Sequence, residues 1–128
     1  MSMDSQDKRN PIPFISSLSF AISGVNTALR AERNMRIHFI SSIIVLLVSF
    51  YFSITKIEWL FILLAIGGMF ALELVNTAIE RVVDLVTGEY HPLAKQAKDL
   101  AAGAVLVYAF LSVAIGILIF FPYVLNLF

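Results

Sequence analysis

Residues 59–72 are fourteen consecutive positions without a charge, most of them apolar, and the run ends at Glu73. From there Glu73, Asn76, Thr77, Glu80 and Asp84 recur at helical spacing. At about 100° per residue these positions fall within an arc roughly 100° wide, so one face of one helix carries a polar stripe with three carboxylates. The apolar pattern predicts three membrane-spanning helices, each near the roughly 20 residues that a span requires. The first covers about 37–54, where the polar interruptions are His38, Tyr51 and four serines. The second starts at about 57, and its helical pattern continues through Glu73 to about 86. Such a helix is about 45 Å long against a hydrocarbon core of roughly 30 Å, so its polar end projects from the membrane. The third covers about 100–122, with Pro122 and Tyr123 at the far interface.

Ahead of the first span, Phe14, Leu18, Ala21, Ile22, Val25, Ala28 and Leu29 lie opposite Ser17, Gly24, Asn26, Arg30 and Arg33. This spacing predicts an amphipathic helix over about 14–36, lying on the membrane surface. Residues 1–10 are polar and precede no early apolar core with a small-residue cleavage site, so they read as a tail and not as a signal peptide. The expected architecture is a single all-α membrane domain, 1–128.

Composition agrees with this pattern. Of 128 residues 59% are hydrophobic and 14% charged, and the mean hydropathy is +0.88. That is too apolar for a soluble domain of this size. The absence of cysteine removes disulfides and thiolate metal sites, and a formal net charge of zero gives no support for nucleic acid as a partner. Lys8, Arg9, Arg30, Arg33 and Arg36 precede the first span, and Arg81, Lys95 and Lys98 lie between the second and third, whereas the first connection has Lys56 alone. The positive-inside rule then puts the N-terminus and the second connection in the cytoplasm. Glu73 falls about 24 Å in from the outer surface, at the cytoplasmic edge, where a lipid head group and a cytosolic nucleotide can meet.

A carboxylate at that depth costs roughly 2.5 kcal/mol or more and marks a functional site. Glu73 and Glu80 are separated by about 10.5 Å of helical rise, too far to chelate one ion together, so they have different tasks. Magnesium bound with a nucleotide takes one or two protein carboxylates plus phosphate oxygens. The partner for Glu80 must therefore come from another segment, and Glu32 is the only acidic residue between Asp7 and Glu58. The chain contains neither a Gly-x-x-x-x-Gly-Lys-Ser/Thr phosphate loop nor the protein-kinase signatures.

Several strings then match a known pattern: Glu32-Arg33-Asn34 with Arg36 and His38; Glu73-Leu74-Val75-Asn76-Thr77-Ala78-Ile79-Glu80 followed by Val83-Asp84; His91-Pro92-Leu93-Ala94-Lys95; and Ala97-Lys98-Asp99 leading into Ala101 to Val105. In this order they resemble the prokaryotic diacylglycerol kinase family over nearly the whole chain from about Phe20, and within it the Gram-positive undecaprenol kinase branch. The resemblance implies a small homotrimeric enzyme of the bacterial cytoplasmic membrane that moves the γ-phosphate of ATP, with Mg²⁺, onto a lipid hydroxyl. It makes Glu73 the catalytic base and Glu32 and Glu80 the metal carboxylates. Glu89, Tyr90, His91, Lys98 and Asp99 become nucleotide contacts, with Glu32, Asn76 and Glu80 beside the reacting groups. Glu73, Asn34 and Arg36 fall to the lipid side. In the diacylglycerol-specific branch the position of His38 is acidic and that of Asn34 apolar or small, so undecaprenol is the expected acceptor and diacylglycerol the alternative.

Plainer readings exist for each residue taken alone. Glu73 would serve as a helix-to-helix hydrogen bond, Glu80 and Asp84 as a solvated helix end paired with Arg81 and Lys95, and Arg36 as a charge anchor. His91 would be a loop residue, Lys95 a head-group charge, and Gly67 and Gly68 points of close helix packing. Two other functional classes also fit three spans: a small oligomeric carrier with Glu73 as its coupling carboxylate, and a structural membrane subunit. A carrier has no need of Glu32, Lys98 and Asp99 on separate cytoplasmic segments, and a structural subunit leaves the stripe without a purpose.

Overall fold

The computed structural model describes residues 13–128; the expected tail, with Lys8 and Arg9, lies outside them. The described chain forms α1 (Phe14–Ala31), α2 (Arg33–Phe52), α3 (Lys56–Val86) and α4 (Pro92–Leu125). Of these α2, α3 and α4 are long and apolar enough to cross a membrane. Most of their large apolar side chains face outward, among them Leu47, Phe110 and Leu118. A helix apolar on every side is at home in lipid and not in water.

The sequence pattern carries the surface helix to about Arg36, whereas α1 ends at Ala31 and residues 33–36 form the first turn of α2. The break is a single residue. Glu32 is extended, at φ −106° and ψ 119°. Its N–H donates to the Ala28 carbonyl and its own carbonyl accepts from the Arg36 N–H. One residue thus closes one helix and opens the next. Arg36 holds the corner: Nη1 donates to the carbonyls of Arg30 at 2.8 Å and Leu29 at 3.3 Å. These are among the last carbonyls of α1, which have no partner within the helix and draw positive charge. Beneath the corner Met35 and Ala28 are buried.

The next connection is short because both of its ends are capped. Ser53, in the left-handed region at φ 50°, terminates α2. Thr55 and Glu58 then form a reciprocal capping box: Oγ1 of Thr55 accepts from Glu58 N–H at 3.2 Å, and Glu58 Oε1 accepts from Thr55 N–H at 2.9 Å. The same Glu58 oxygen accepts from the Tyr123 hydroxyl at 2.5 Å, joining the start of α3 to the end of α4. Midway, Tyr108 donates to the Leu64 carbonyl at 2.6 Å, and at the opposite end Lys98 reaches Asp84 at 2.6 Å. These ties run α3 and α4 antiparallel along their length. Gly68 makes this closeness possible, because a Cβ there would lie 2.1 Å from the Tyr108 ring. Ile54, Ile62 and Ile119, packed with Trp59 and Phe120, form a core at the end of the bundle remote from Glu73. The helix α4 starts at Pro92, well before the apolar run at Leu100, so its first two turns carry Lys95, Lys98 and Asp99 alongside the polar end of α3.

Candidate functional site

Folding back at the connection after Ser53 brings the start of α2 to the depth of the polar stripe on α3. Glu73 is 2% exposed, the most deeply buried charged side chain among the described residues. Across from it stands His38 of α2, with Nε2 at 3.8 Å from Glu73 Oε2. Beside this pair a cavity of about 420 Å³ opens between α2, α3 and α4. Val45, Ile66, Met69, Val113 and Phe120 line it, with His38, Ser41 and Ser112 as its polar points. The Ser112 hydroxyl is buried without a hydrogen-bond partner. The cavity is apolar enough to take a hydrocarbon chain, and His38 in its wall is the residue that links it to Glu73.

One turn further along α3, Asn76 Nδ2 donates to Glu80 Oε1 at 3.4 Å. Asn76 Oδ1 is buried and has no partner. Glu32, at the α1–α2 corner, lies with Oε1 3.8 Å from Nη2 of Arg81 on the neighbouring turn of α3. The extended backbone at Glu32 is what points a third segment toward the stripe. Among the described residues no three His, Asp or Glu side chains gather into an all-protein metal cage. A divalent ion held here by Glu32 and Glu80 would therefore draw its remaining ligands from phosphate oxygens.

The turn between α3 and α4 shapes a third feature. Glu89, Tyr90, His91, Lys98 and Asp99 share the wall of a cavity of about 380 Å³ with Asp84 and Lys95. Thr87 organises the turn: its hydroxyl accepts from Glu89 N–H and donates to the Glu89 carbonyl, each at 3.2 Å. His91 caps α4, with Nδ1 accepting from Leu93 N–H at 3.1 Å, and Pro92 fills the first helical position where no donor is needed. Two ion pairs cross this wall, Lys98 to Asp84 at 2.6 Å and Lys95 to Asp99 at 2.5 Å. Five of the eight residues expected at the nucleotide, Glu89, Tyr90, His91, Lys98 and Asp99, share this wall, while Glu32, Asn76 and Glu80 do not line it; the ion pairs hold the charges of Lys98 and Asp99.

The structure separates two of the residues assigned to the lipid from the third. Asn34 and Arg36 are exposed at the α1–α2 corner, and the Arg36 side chain is occupied by the α1 carbonyls. The apolar cavity is lined from Ile37 onward along α2, with α3 and α4, and neither Asn34 nor Arg36 is in its wall. Three contacts were not anticipated: His38 with Glu73, Asp84 with Lys98, and Arg81 with Glu32. Each joins separate helices. The signal for the first was available in the short α2–α3 connection, which sets the two residues at one depth. Lys95 and Asp99, four residues apart on one helix, were legible from spacing alone.

Comparison with known proteins returns a match to the family model described as prokaryotic diacylglycerol kinase over residues 19–120. The chain is 51% identical over 121 residues to an undecaprenol kinase of Bacillus subtilis strain 168, covering 94% of this chain and 98% of that one. It is 40% identical over 112 residues to a diacylglycerol kinase of Synechocystis, covering 87% of this chain and 64% of the other. With a diacylglycerol kinase of Escherichia coli K12 the identity is 26% over 93 residues, covering 73% and 76%.

Proposed function

Because the chain belongs to the prokaryotic diacylglycerol kinase family, we propose that it transfers the γ-phosphate of ATP to the hydroxyl of undecaprenol, giving undecaprenyl phosphate for cell-envelope synthesis. The observation that carries this reading is the position of Glu73, a buried carboxylate between an apolar cavity and a polar cluster. The lipid chain lies in the cavity among α2, α3 and α4, and its hydroxyl meets Glu73. Glu73 takes the hydroxyl proton as the lipid oxygen bonds to the γ-phosphorus and the bond to ADP breaks. Phosphoryl transfer asks for little else than alignment and charge neutralisation. Lys98 supplies positive charge at the nucleotide, and Glu89, Tyr90, His91 and Asp99 shape its cavity.

Mg²⁺ fits the donors present. Glu32 and Glu80 are hard oxygen donors on separate segments, and Asn76 Oδ1, buried without a partner among the described residues, is a further polar acceptor on the turn before Glu80. Glu32 and Glu80 would hold it, and it would supply charge that offsets the phosphates. The choice of undecaprenol rests on the high similarity to the Bacillus subtilis enzyme along nearly both chains, together with Asn34 and His38. Diacylglycerol is the second reading, supported by the Synechocystis relative, and it uses the same catalytic residues. Glu32, Lys98 and Asp99 on separate segments at the polar end favour a kinase over a carrier.

The whole chain works as one membrane domain of the bacterial cytoplasmic membrane, with α1 on the surface and the site on the cytoplasmic side. Three spans enclose little room for both substrates, which favours an assembly with sites between subunits, and the resemblance to the family makes that assembly a homotrimer. Purified protein in mixed micelles with γ-labelled ATP, Mg²⁺ and undecaprenol tests the proposal. Label appears in the lipid fraction; ATP consumption without lipid labelling, for undecaprenol and diacylglycerol alike, contradicts it.

A further inference from the structure

Three of the carboxylates around the site pair with a permanent cation, while Glu80 and Glu89 form no ion pair among the described residues. Glu32 has Arg81, Asp84 has Lys98 and Asp99 has Lys95, each a permanently charged partner. Glu73 alone faces a histidine, at 3.8 Å, and no other basic side chain among the described residues pairs with it. A permanent cation beside a base opposes protonation of that base. A neutral imidazole has a lone pair on one ring nitrogen and can receive a proton there.

Burial gives the pair a direction. The Glu73 side chain is 2% exposed and that of His38 25%. A base so enclosed, once it has taken a proton, needs a neighbour through which to lose it before the next turnover. His38 is that neighbour, since it lines the cavity on one side and faces Glu73 on the other. The separation exceeds a hydrogen bond, for which about 2.7–3.2 Å is usual, and a small rotation of either side chain closes it.

We propose that His38 acts through Glu73 as the group that resets it: Nε2 is unprotonated while Glu73 awaits the lipid, and it takes over the carboxyl proton after phosphoryl transfer. The O–H bond of the lipid breaks with its proton moving to Glu73. That proton then passes to Nε2 of His38, the carboxylate is restored, and the imidazolium releases the proton to solvent. The inference rests on the lipid-kinase reading above.

The test is a double-mutant cycle on the full chain in mixed micelles. His38→Gln retains a polar group near the position of Nε2 but cannot carry the proton. In the wild-type background it lowers kcat about 10-fold or more, with KM for ATP and for the lipid held within about 2-fold. In the Glu73→Gln background, where there is no carboxyl proton to discharge, the same change has no further effect. Unchanged affinity for a non-hydrolysable ATP analogue shows that the variants are folded, and His38→Asn is read by the same criteria should His38→Gln fail to reach the membrane. An unchanged kcat, an equal loss in both backgrounds, or a loss confined to the lipid KM overturns the role of His38. Absence of lipid phosphorylation by the wild type is a different result and overturns the kinase reading itself.

Discussion

Glu73→Gln keeps the size of the side chain and removes its basicity, so it separates chemistry from packing. Turnover falls by about 10²-fold or more, the scale of general-base catalysis, while ATP binding stays near normal; steady-state kinetics and nucleotide titration measure both. Glu32 and Glu80 face a different test. If both grip the metal of one nucleotide, Glu32→Gln or Glu80→Gln raises the Mg²⁺ concentration needed for half-maximal activity, and the double change costs less than the two single losses together. Strict additivity with unchanged Mg²⁺ dependence would show that they share no ion. At this scale the sequence was informative where chemistry is local: a carboxylate after a long apolar run announces itself. It was silent on Arg36, whose charge reads as a membrane anchor but whose guanidinium closes the end of α1. Capping by a residue from the following helix leaves no periodic trace.

Helix identity was legible in the hydrophobic period and helix boundaries were not. The break at Glu32 falls inside a continuous helical pattern with no proline or glycine to mark it. It follows from tertiary demand, since the chain must turn from the surface into a span there. The start of α4 at Pro92 was hidden because its first turns are polar, although His91 and Pro92 together make a recognisable helix start. Close packing of α3 on α4 gives a testable contrast between adjacent glycines. Gly68→Ala drives a methyl group into the Tyr108 ring, which is held by its bond to the Leu64 carbonyl, and destabilises the fold by about 1–3 kcal/mol. Gly67→Ala meets nothing within 4 Å and is near neutral. Thermal unfolding of the two variants in detergent makes the comparison, and equal stabilities would argue against the α3–α4 contact.

At the scale of the molecule, three apolar helices place the polar ends of α3 and α4 and the corner at Glu32 together, so the residues proposed for lipid chemistry and for the nucleotide share one end of the bundle. The membrane character was plain in the composition, whereas the cavity among α2, α3 and α4 was not, because apolar residues that line a cavity and those that face lipid look alike in a sequence. A polyprenol offers this cavity a single polar handle, so binding comes from apolar contact at about 25 cal/mol per Å² buried. Shortening the prenol therefore raises KM progressively and changes kcat much less. The central claim, that this site phosphorylates a polyprenol, is tested most directly by kcat/KM for undecaprenol and for diacylglycerol, measured with the same purified protein in mixed micelles. The account predicts the higher value for undecaprenol; a value for diacylglycerol well above it would contradict the assignment and make the chain a diacylglycerol kinase acting through the same Glu73.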